Sequence, residues 1–384
     1  MMKLVIPDNN DPELVEVVSK LITKSSNHTI SEIYGKPTTN KIIGSGRANI
    51  FFDNLTRESL VKRVTEFQQL GLEYNYCLNG ILPRARILEN RNKIIEELEW
   101  LESSPINKIT TANYELVRLA EKYAPSVDVA ISFFAKVDNK KRFEQWARLS
   151  NVKSVNTDRI TYRNLVLLEE LAELGRVTDT EVRVIANLGC MSDCIRTEEH
   201  AIMKDMASVD RESLHYAPCT FYCMKYLLEN PEEFLKLPII RPEDLDKYDE
   251  ISVDSVKLVD RTQTTSWIEK VVGHYLDGSY KGNILELTCN FTRSGVNEMS
   301  NKEVAKIDID KIIESKERVI SYRETLPELM RISIDPNYEF LACNNACESC
   351  KSGCYDSSAV NYDPDRREIV LAQLAQLEKE HLFK

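Results

Sequence analysis

The sequence predicts an α/β protein built on a (β/α)8 barrel, and two observations support this fold class. Eight short runs rich in Val, Ile and Tyr have the length and composition of buried strands. Amphipathic segments with helical periodicity lie between most of them. Eight strands alternating with helices is the count of a closed barrel, whereas an open doubly wound sheet more often has about five to seven strands. The predicted strands are residues 3–7, 29–35, 73–79, 108–112, 127–134, 152–158, 181–189 and 252–260.

The helical segments carry their own start and stop signals. Asp11 is the predicted cap of the first helix, and Gly71 is the predicted stop of the second. Two further segments have an apolar stripe at helical spacing. The predicted helical segments are residues 11–25, 56–71, 113–125 and 161–175.

The predicted barrel domain covers residues 1–278, and its longest insertion, residues 195–250, follows the seventh strand. The regular alternation ends after this domain. Residues 279–384 are predicted to form a C-terminal extension with a cysteine-rich segment and a terminal amphipathic helix. In such barrels the chemistry lies at the C-terminal ends of the strands, so the residues that follow each strand are the candidates for a site.

Composition indicates an ordinary globular protein of 384 residues, with 42% hydrophobic and 29% charged residues. The formal net charge of −11 opposes nucleic-acid binding, although it leaves room for a local basic patch. The first apolar run is too short for a signal peptide, and no run reaches the ~18 apolar residues of a membrane span. We therefore expect a soluble, cytoplasmic protein that acts on a small molecule or peptide, alone or as a homodimer or heterodimer.

Ten cysteines is a high number for a protein of a reducing compartment, and most of them are grouped along the sequence. Cys190 and Cys194 follow the seventh strand, and Cys219 and Cys223 lie in the insertion behind it. Two such pairs near the barrel mouth could form one four-thiolate site. An iron–sulfur cluster, a structural zinc ion and a set of buried core cysteines all remain open, although the three-residue gaps suit a zinc knuckle less well.

A second group occupies the stretch CNNACESCKSGC near the end of the chain and contains Cys343, Cys347, Cys350 and Cys354. Its first three cysteines have the spacing of radical S-adenosylmethionine enzymes. Those enzymes place the motif directly after the first strand, whereas here the whole barrel precedes it. The quartet is therefore predicted to hold a metal, either zinc or a second [4Fe–4S] cluster.

Polar residues at the predicted mouth are further candidates. The seventh strand brings Asn187 to the mouth, and His200, six residues beyond Cys194, is a candidate ligand, a proton donor or a helix-face residue. Arg47, between glycines after the second strand, is a candidate to bind a carboxylate or phosphate. Asn75 and Asn79 around the third strand, and the pair Asp260 and Arg261 after the eighth, are compatible with either function or ordinary loop polarity.

The segment NLGCMSDCIRTEEH, the segment RPEDL and the later KLVDR resemble the collagenase-like peptidase family, numbered 32 among peptidases of unassigned mechanism. The resemblance is to its iron–sulfur branch, and it covers most of the barrel. In that branch a glycine precedes the arginine after the last strand, whereas here Asp260 precedes Arg261. The resemblance implies a [4Fe–4S] cluster held by four cysteines. Cys190 and Cys194 match the first pair, while Cys219 and Cys223 complete the set with a spacing that departs from the commoner pattern.

The resemblance also implies oxygen-independent hydroxylation, in some cases by heterodimers. The family name implies proteolysis, but the sequence shows neither a Ser-His-Asp arrangement for nucleophilic catalysis nor a His-Glu-x-x-His helix for zinc. The first expectation is therefore an iron–sulfur oxidoreductase that hydroxylates or otherwise oxidises or reduces a small molecule or peptide in a biosynthetic pathway. The alternatives are a peptidase or other hydrolase with a structural metal, and a non-catalytic subunit that carries the cluster.

Overall fold

The architecture is a closed barrel of eight parallel strands, as the sequence predicts. The computed structural model describes residues 1–24, 26–36, 42–46, 55–209, 218–288, 332–342 and 357–382. Each strand pairs with its neighbours in chain order, and the eighth pairs with the first. The barrel strands are β1 Lys3–Pro7, β2 Thr29–Gly35, β3 Glu73–Cys77, β4 Lys108–Thr111, β5 Asp128–Ile131, β6 Val152–Asn156, β7 Glu181–Ile185 and β8 Ser255–Lys257.

Helices lie between the strands and pack apolar side chains against them. The helices are α1 Glu13–Thr23, α2 Arg57–Gln69, α3 Arg84–Glu89, α4 Arg91–Glu102, α5 Tyr114–Tyr123, α6 Lys140–Ala147, α7 Leu165–Thr178, α8 Thr197–Val209, α9 Pro218–Glu229, α10 Leu245–Glu250, α11 Thr265–Asp277 and α12 Pro364–Leu382. In the part of the chain that the structure describes, none of them combines the length and apolar character needed to cross a bilayer.

The predicted helix ends are largely confirmed. The Thr56 side chain accepts a hydrogen bond from the Ser59 amide and caps α2, and Gly71 has a φ of 79° just beyond its end. The cap of α1 differs from the prediction, since Pro12 stands immediately before the first helical residue. Asp11 still stabilises the start of α1, because its carboxylate accepts a hydrogen bond from the Glu13 amide at 3.0 Å.

Charged residues fill part of the barrel interior, where aliphatic side chains are usual. Glu32 on β2 accepts hydrogen bonds from the Arg183 guanidinium at 2.8 and 3.0 Å and from the Lys108 ammonium at 3.0 Å. The Asn75 amide donates to the same carboxylate at 2.9 Å, and the Thr110 hydroxyl donates to Asn75 at 2.7 Å. Burial acts to raise the pKa of Glu32, but the two cations outweigh it and hold that pKa at about 2.

The chain divides into two compact units. The first comprises Met1–Ala186, Ala201–Ser213 and Ile240–Tyr280 and contains the barrel. The second comprises Asn187–His200, Leu214–Ile239 and Lys281–Lys384.

Inside the second unit, α9 packs on α12. The Arg367 guanidinium donates to the Leu228 carbonyl at 2.6 Å, and Lys225 pairs with Glu378 at 2.8 Å. A short antiparallel pair, β9 Ser333–Ile334 and β10 Val360–Asn361, also belongs to this unit. The domain boundary at residue 278 stays a prediction.

Candidate active site at the barrel mouth

A pocket opens at the C-terminal ends of the barrel strands, within the first unit. About 460 Å³ of non-atom space lies within it, and that figure includes open solvent at its mouth. The terminal residues of β3, β6, β7 and β8 all reach it. The lining residues are Tyr34, Ser45, Gly46, Cys77, Asn79, Thr110, Ser132, Phe133, Phe134, Asn156, Ile185, Lys257, Val259 and Arg261.

Lys257, the last residue of β8, is buried in this pocket. Its ammonium nitrogen lies 3.5 Å from the centre of the Tyr34 ring. The Tyr34 hydroxyl donates to the Leu258 carbonyl at 2.9 Å, which fixes the ring beneath the lysine. Burial lowers the pKa of Lys257 to about 8, so a substantial fraction of this lysine is a neutral amine near physiological pH.

Cys77, the last residue of β3, contributes a buried thiol to the same pocket. After burial, the negative charge of its thiolate has the largest influence on the pKa of Lys257, and it acts to raise it. The thiol and the amine are therefore within electrostatic range of each other. A potential nucleophile and a potential base thus share one pocket.

Two more cations surround these groups. Arg261 lies on the pocket wall, and its guanidinium donates to the Ser45 carbonyl. Lys36 lies just beyond β2, and its ammonium donates to the Ile43 carbonyl. Burial lowers the pKa of Lys36 to about 8, and the charge of Arg261 acts in the same direction on both lysines. Among the described lining residues, the charged side chains are Lys257 and Arg261.

The pocket wall formed by residues 42–46 is held by α8. The Ser45 amide donates to the Ser208 hydroxyl at 2.9 Å. Asp205, one turn earlier, is buried against Gly44 and Gly80, where an added Cβ at either glycine would overlap its carboxylate. Burial raises the pKa of Asp205 to about 6, although the nearby Lys36 acts to lower it.

Two asparagine side chains reach the pocket with unsatisfied acceptors. Asn156, the last residue of β6, donates from its amide nitrogen to the Ile131 carbonyl at 2.7 Å, which fixes the orientation of the side chain. The side-chain oxygens of Asn156 and Asn79 are both buried and have no hydrogen-bond partner. An unpartnered buried acceptor costs about 1–3 kcal/mol, so both oxygens favour a ligand with N–H donors.

One side of the pocket is aromatic. Phe133 and Phe134 follow β5, and their ring centres are 4.3 Å apart. Both side chains line the pocket and are partly exposed. They offer an apolar surface to a ligand side chain.

The cysteines predicted to hold a cluster belong to the second unit. Cys190 and Cys194 lie between β7 and α8, while Cys219 and Cys223 lie on α9; only the side chain of Cys219 is not described. Among the described residues, no three His, Cys, Asp or Glu side chains are gathered in a way that could hold a metal ion. The described donors therefore do not form a ligand set for a cluster, and the [4Fe–4S] assignment stays a prediction that iron and sulfide analysis would test.

The other predicted site residues lie in different places. Asn187 is fully buried, and its amide donates to the Leu287 carbonyl at 3.0 Å inside the second unit. His200 lies in the first turn of α8, where its backbone amide donates to the Arg196 carbonyl at 2.9 Å. Arg47 is outside the described residues. The terminal quartet Cys343, Cys347, Cys350 and Cys354 is also outside them.

The pair Asp260 and Arg261 was compatible with a salt bridge or a substrate clamp. Arg261 reaches the pocket wall and donates to Ser45, while the Asp260 carboxylate accepts the Thr262 amide at 3.0 Å. Lys257 and Cys77 were not singled out from the sequence. In the structure each is the final residue of its barrel strand, whereas the predicted strands 73–79 and 252–260 end two and three residues later, so their position at the mouth was not visible in the sequence.

No protein-family model matches the chain. The chain is similar to an uncharacterized protease of Methanocaldococcus jannaschii, with 24% identity over 283 residues that cover 71% of this chain and 80% of the relative. This similarity supports the resemblance to collagenase-like peptidases. It does not bear on the iron–sulfur branch.

Two solved structures also resemble the chain at low TM-scores. One is a U32 peptidase, with a TM-score of 0.45 and 15% identity over 68% of this chain and 93% of that one. The other is a GH113 β-1,4-mannanase, with a TM-score of 0.35 and 10% identity over 71% of this chain and 97% of that one. Both scores are below 0.5, and neither likeness bears on function.

The first functional expectation, an iron–sulfur oxidoreductase that carries out oxygen-independent hydroxylation, is wrong. The relative is named a protease, which is a hydrolase. The similarity favours the alternative expectation, a peptidase or other hydrolase, over a redox enzyme.

Proposed function

We propose that the protein is a peptidase that hydrolyses peptide bonds in the barrel-mouth pocket. The observation that carries the proposal is the presence of the Cys77 thiol and the amine of Lys257, with its pKa of about 8, in one pocket at the C-terminal ends of the strands. The similarity to a protease favours hydrolysis over other lysine chemistry.

In the proposed reaction the neutral amine of Lys257 accepts the proton of the Cys77 thiol. The thiolate attacks the carbonyl carbon of the peptide bond and forms a tetrahedral intermediate. The C–N bond then breaks, and the Lys257 ammonium returns the proton to the leaving nitrogen. Water hydrolyses the resulting thioester, which releases the carboxylic acid and restores the thiol.

The pocket electrostatics suit the early steps. Arg261 is permanently charged and acts to lower the pKa of Lys257, so it favours the neutral amine that serves as base. Its positive charge also stabilises the oxyanion that forms on the carbonyl. The Tyr34 ring acts in the opposite direction, because it stabilises the ammonium that Lys257 becomes after proton transfer.

The test is hydrolysis of a mixed peptide library by the whole chain, analysed by mass spectrometry, with Cys77→Ser and Lys257→Met variants. We expect the first variant to lose about 1,000-fold or more in kcat/KM and the second about 100-fold or more. Lys153→Met is the matched control, since that lysine is partly exposed and pairs with Asp179 at the other end of β6. It should hydrolyse peptides at the wild-type rate.

Two outcomes would contradict the mechanism. Wild-type hydrolysis by Cys77→Ser would exclude the thiol as nucleophile. Covalent trapping of a carbonyl compound on Lys257 by borohydride during turnover would show Schiff-base chemistry in place of acyl transfer.

A further inference from the structure

The pocket has features that favour one end of a peptide over the other. This inference rests on the proposed function as a peptidase. Among its described lining residues none is Asp, Glu or His, whereas Lys257 and Arg261 both lie on its wall. A free amino terminus carries a positive charge and would meet the permanently charged Arg261 without a carboxylate to pair with it. A terminal carboxylate would meet complementary charge.

The acceptors of the pocket define the second feature of the ligand. The buried side-chain oxygens of Asn79 and Asn156 have no partner, so an entering ligand gains most if it brings N–H groups. The C-terminal residue of a peptide combines a carboxylate with an amide N–H on the same α-carbon. A phosphate or a simple carboxylic acid satisfies the cations but leaves the asparagine oxygens unpaired.

The aromatic side gives the third feature. Phe133 and Phe134 place two packed rings beside the polar groups. An apolar or aromatic side chain on the terminal residue would cover them and remove apolar surface from water.

We propose that the pocket binds the C-terminal residue of a peptide, with its carboxylate at Arg261, its amide N–H at Asn156 or Asn79 and its side chain on Phe133 and Phe134. The bond next to that N–H is then the one presented to Cys77, and its nitrogen is the leaving group that receives the proton from Lys257. The enzyme releases single C-terminal amino acids, as a carboxypeptidase does, with a preference for apolar residues.

Binding of small probes tests the recognition without requiring turnover. N-acetyl-L-phenylalanine has the carboxylate, the N–H and the aromatic ring, whereas N-acetyl-L-phenylalaninamide replaces the carboxylate with a neutral carboxamide that carries two further N–H donors. By titration calorimetry on the whole chain near pH 7, the acid should bind about 10-fold or more tightly than the amide. L-phenylalaninamide, which is cationic, should bind more weakly than either. Equal binding of acid and amide, or tighter binding of the cation, would overturn the proposal.

The asparagine contribution has a matched control within the chain. Asn156→Ala should weaken binding of N-acetyl-L-phenylalanine about 10-fold. Asn151→Ala should leave the affinity unchanged, because Asn151 also has a buried oxygen without a partner and donates to the Val117 carbonyl at 3.1 Å, but does not line the pocket. Asn79→Ala provides a second variant, at a partly exposed side chain, if the buried substitution prevents folding. Unchanged binding by both folded pocket variants would contradict the role of the acceptors.

Peptide substrates separate this proposal from the proposed function. An acetylated peptide with a free C-terminus should lose its last residue, and the same peptide with an amidated C-terminus should be cleaved at least about 10-fold more slowly. Internal cleavage of both forms at one rate would keep the hydrolase and refute the terminal recognition. Tight binding of N-acetyl-L-phenylalanine without hydrolysis of any peptide would keep the recognition and refute the hydrolase.

Discussion

The ammonium of Lys257 lies over the ring of Tyr34, 3.5 Å from its centre. Burial favours the neutral amine of this lysine, and the ring favours the charged form, so the two effects oppose each other at the group proposed to act as base. Burial, opposed chiefly by the charge of Cys77, lowers the pKa to about 8, which is close to the pH at which an enzyme of this kind would work.

Removal of the Tyr34 ring is therefore predicted to move the pH dependence of hydrolysis. Activity that requires the neutral amine rises with pH and reaches half its maximum near the pKa of Lys257. Tyr34→Leu removes the stabilisation of the ammonium and should shift that midpoint to lower pH by about half a unit or more. Tyr34→Phe keeps the ring and should leave the midpoint near that of the wild type. A shift of equal size in both variants would assign the effect to the hydroxyl and its bond to Leu258.

A second prediction concerns the charged interior of the barrel. Glu32→Gln leaves Arg183 and Lys108 buried with a neutral partner, which should lower the free energy of unfolding by about 3–5 kcal/mol. Glu73→Gln removes the half-exposed second partner of Lys108 and should cost less than about 1 kcal/mol. Urea unfolding of both variants measures the difference. Similar small losses would show that the buried cations find other partners.

The same carboxylate gives a pH dependence of stability. The pKa of Glu32 is about 2 in the folded protein and lies near 4.5 in the unfolded chain. Its contribution is therefore fully present above about pH 4.5 and is lost as the pH falls toward 2. Glu32→Gln should show a weaker decline of stability over this window than the wild type.

Asp205 is predicted to affect stability in the opposite sense. Its pKa is raised from 3.8 to about 6 in the folded protein, so the folded state binds the proton more tightly than the unfolded chain. Stability should then decrease as the pH rises from about 4 to 6. Asp205→Asn, which cannot ionise, should lack this decrease in thermal unfolding scans. The exposed Asp246→Asn serves as the control and should retain the wild-type profile.

The fold could be predicted because its signal is local. Each barrel strand is a short run of buried residues, and caps such as Thr56 and stops such as Gly71 act within a few residues of the helix ends. All eight predicted strands are confirmed, although several are shorter at their C-terminal ends than predicted. The exception at α1 has a local cause too, because Pro12 stands between the predicted cap and the first helical residue.

The candidate site could be predicted only in part, because its chemistry arises after closure of the barrel. Active sites of such barrels lie at the C-terminal ends of the strands. This rule predicted a site at the barrel mouth, with Asn79 and Arg261 among its candidate residues. Lys257 is an ordinary lysine in the sequence, and burial in the closed barrel is the largest cause of its lowered pKa. The interior pair Glu32 and Arg183 is separated by 151 residues, so its coupling leaves no trace in any local pattern.

Clustered cysteines drew attention to the seventh strand because grouped thiols suggest a metal. The single Cys77 has no such neighbour in the sequence. Its relevance comes from the pocket that it shares with Lys257, which spacing along the chain does not reveal.

The contact of Asp205 with Gly44 and Gly80 limits how the pocket can be redesigned. Neither glycine has room for a methyl group while the aspartate is present, so single substitutions at these positions should be rejected in a mutational scan. Asp205→Gly or Asp205→Ala would remove the nearest overlap, but a Cβ at Gly44 would still lie 2.5 Å from the Ser208 hydroxyl, and one at Gly80 would lie 3.0 Å from the Gly44 backbone. Phe133 and Phe134 are partly exposed, so substitutions there meet less packing than at the two glycines. Libraries intended to change substrate preference should therefore vary the two phenylalanines and keep the glycine–aspartate trio as a fixed unit.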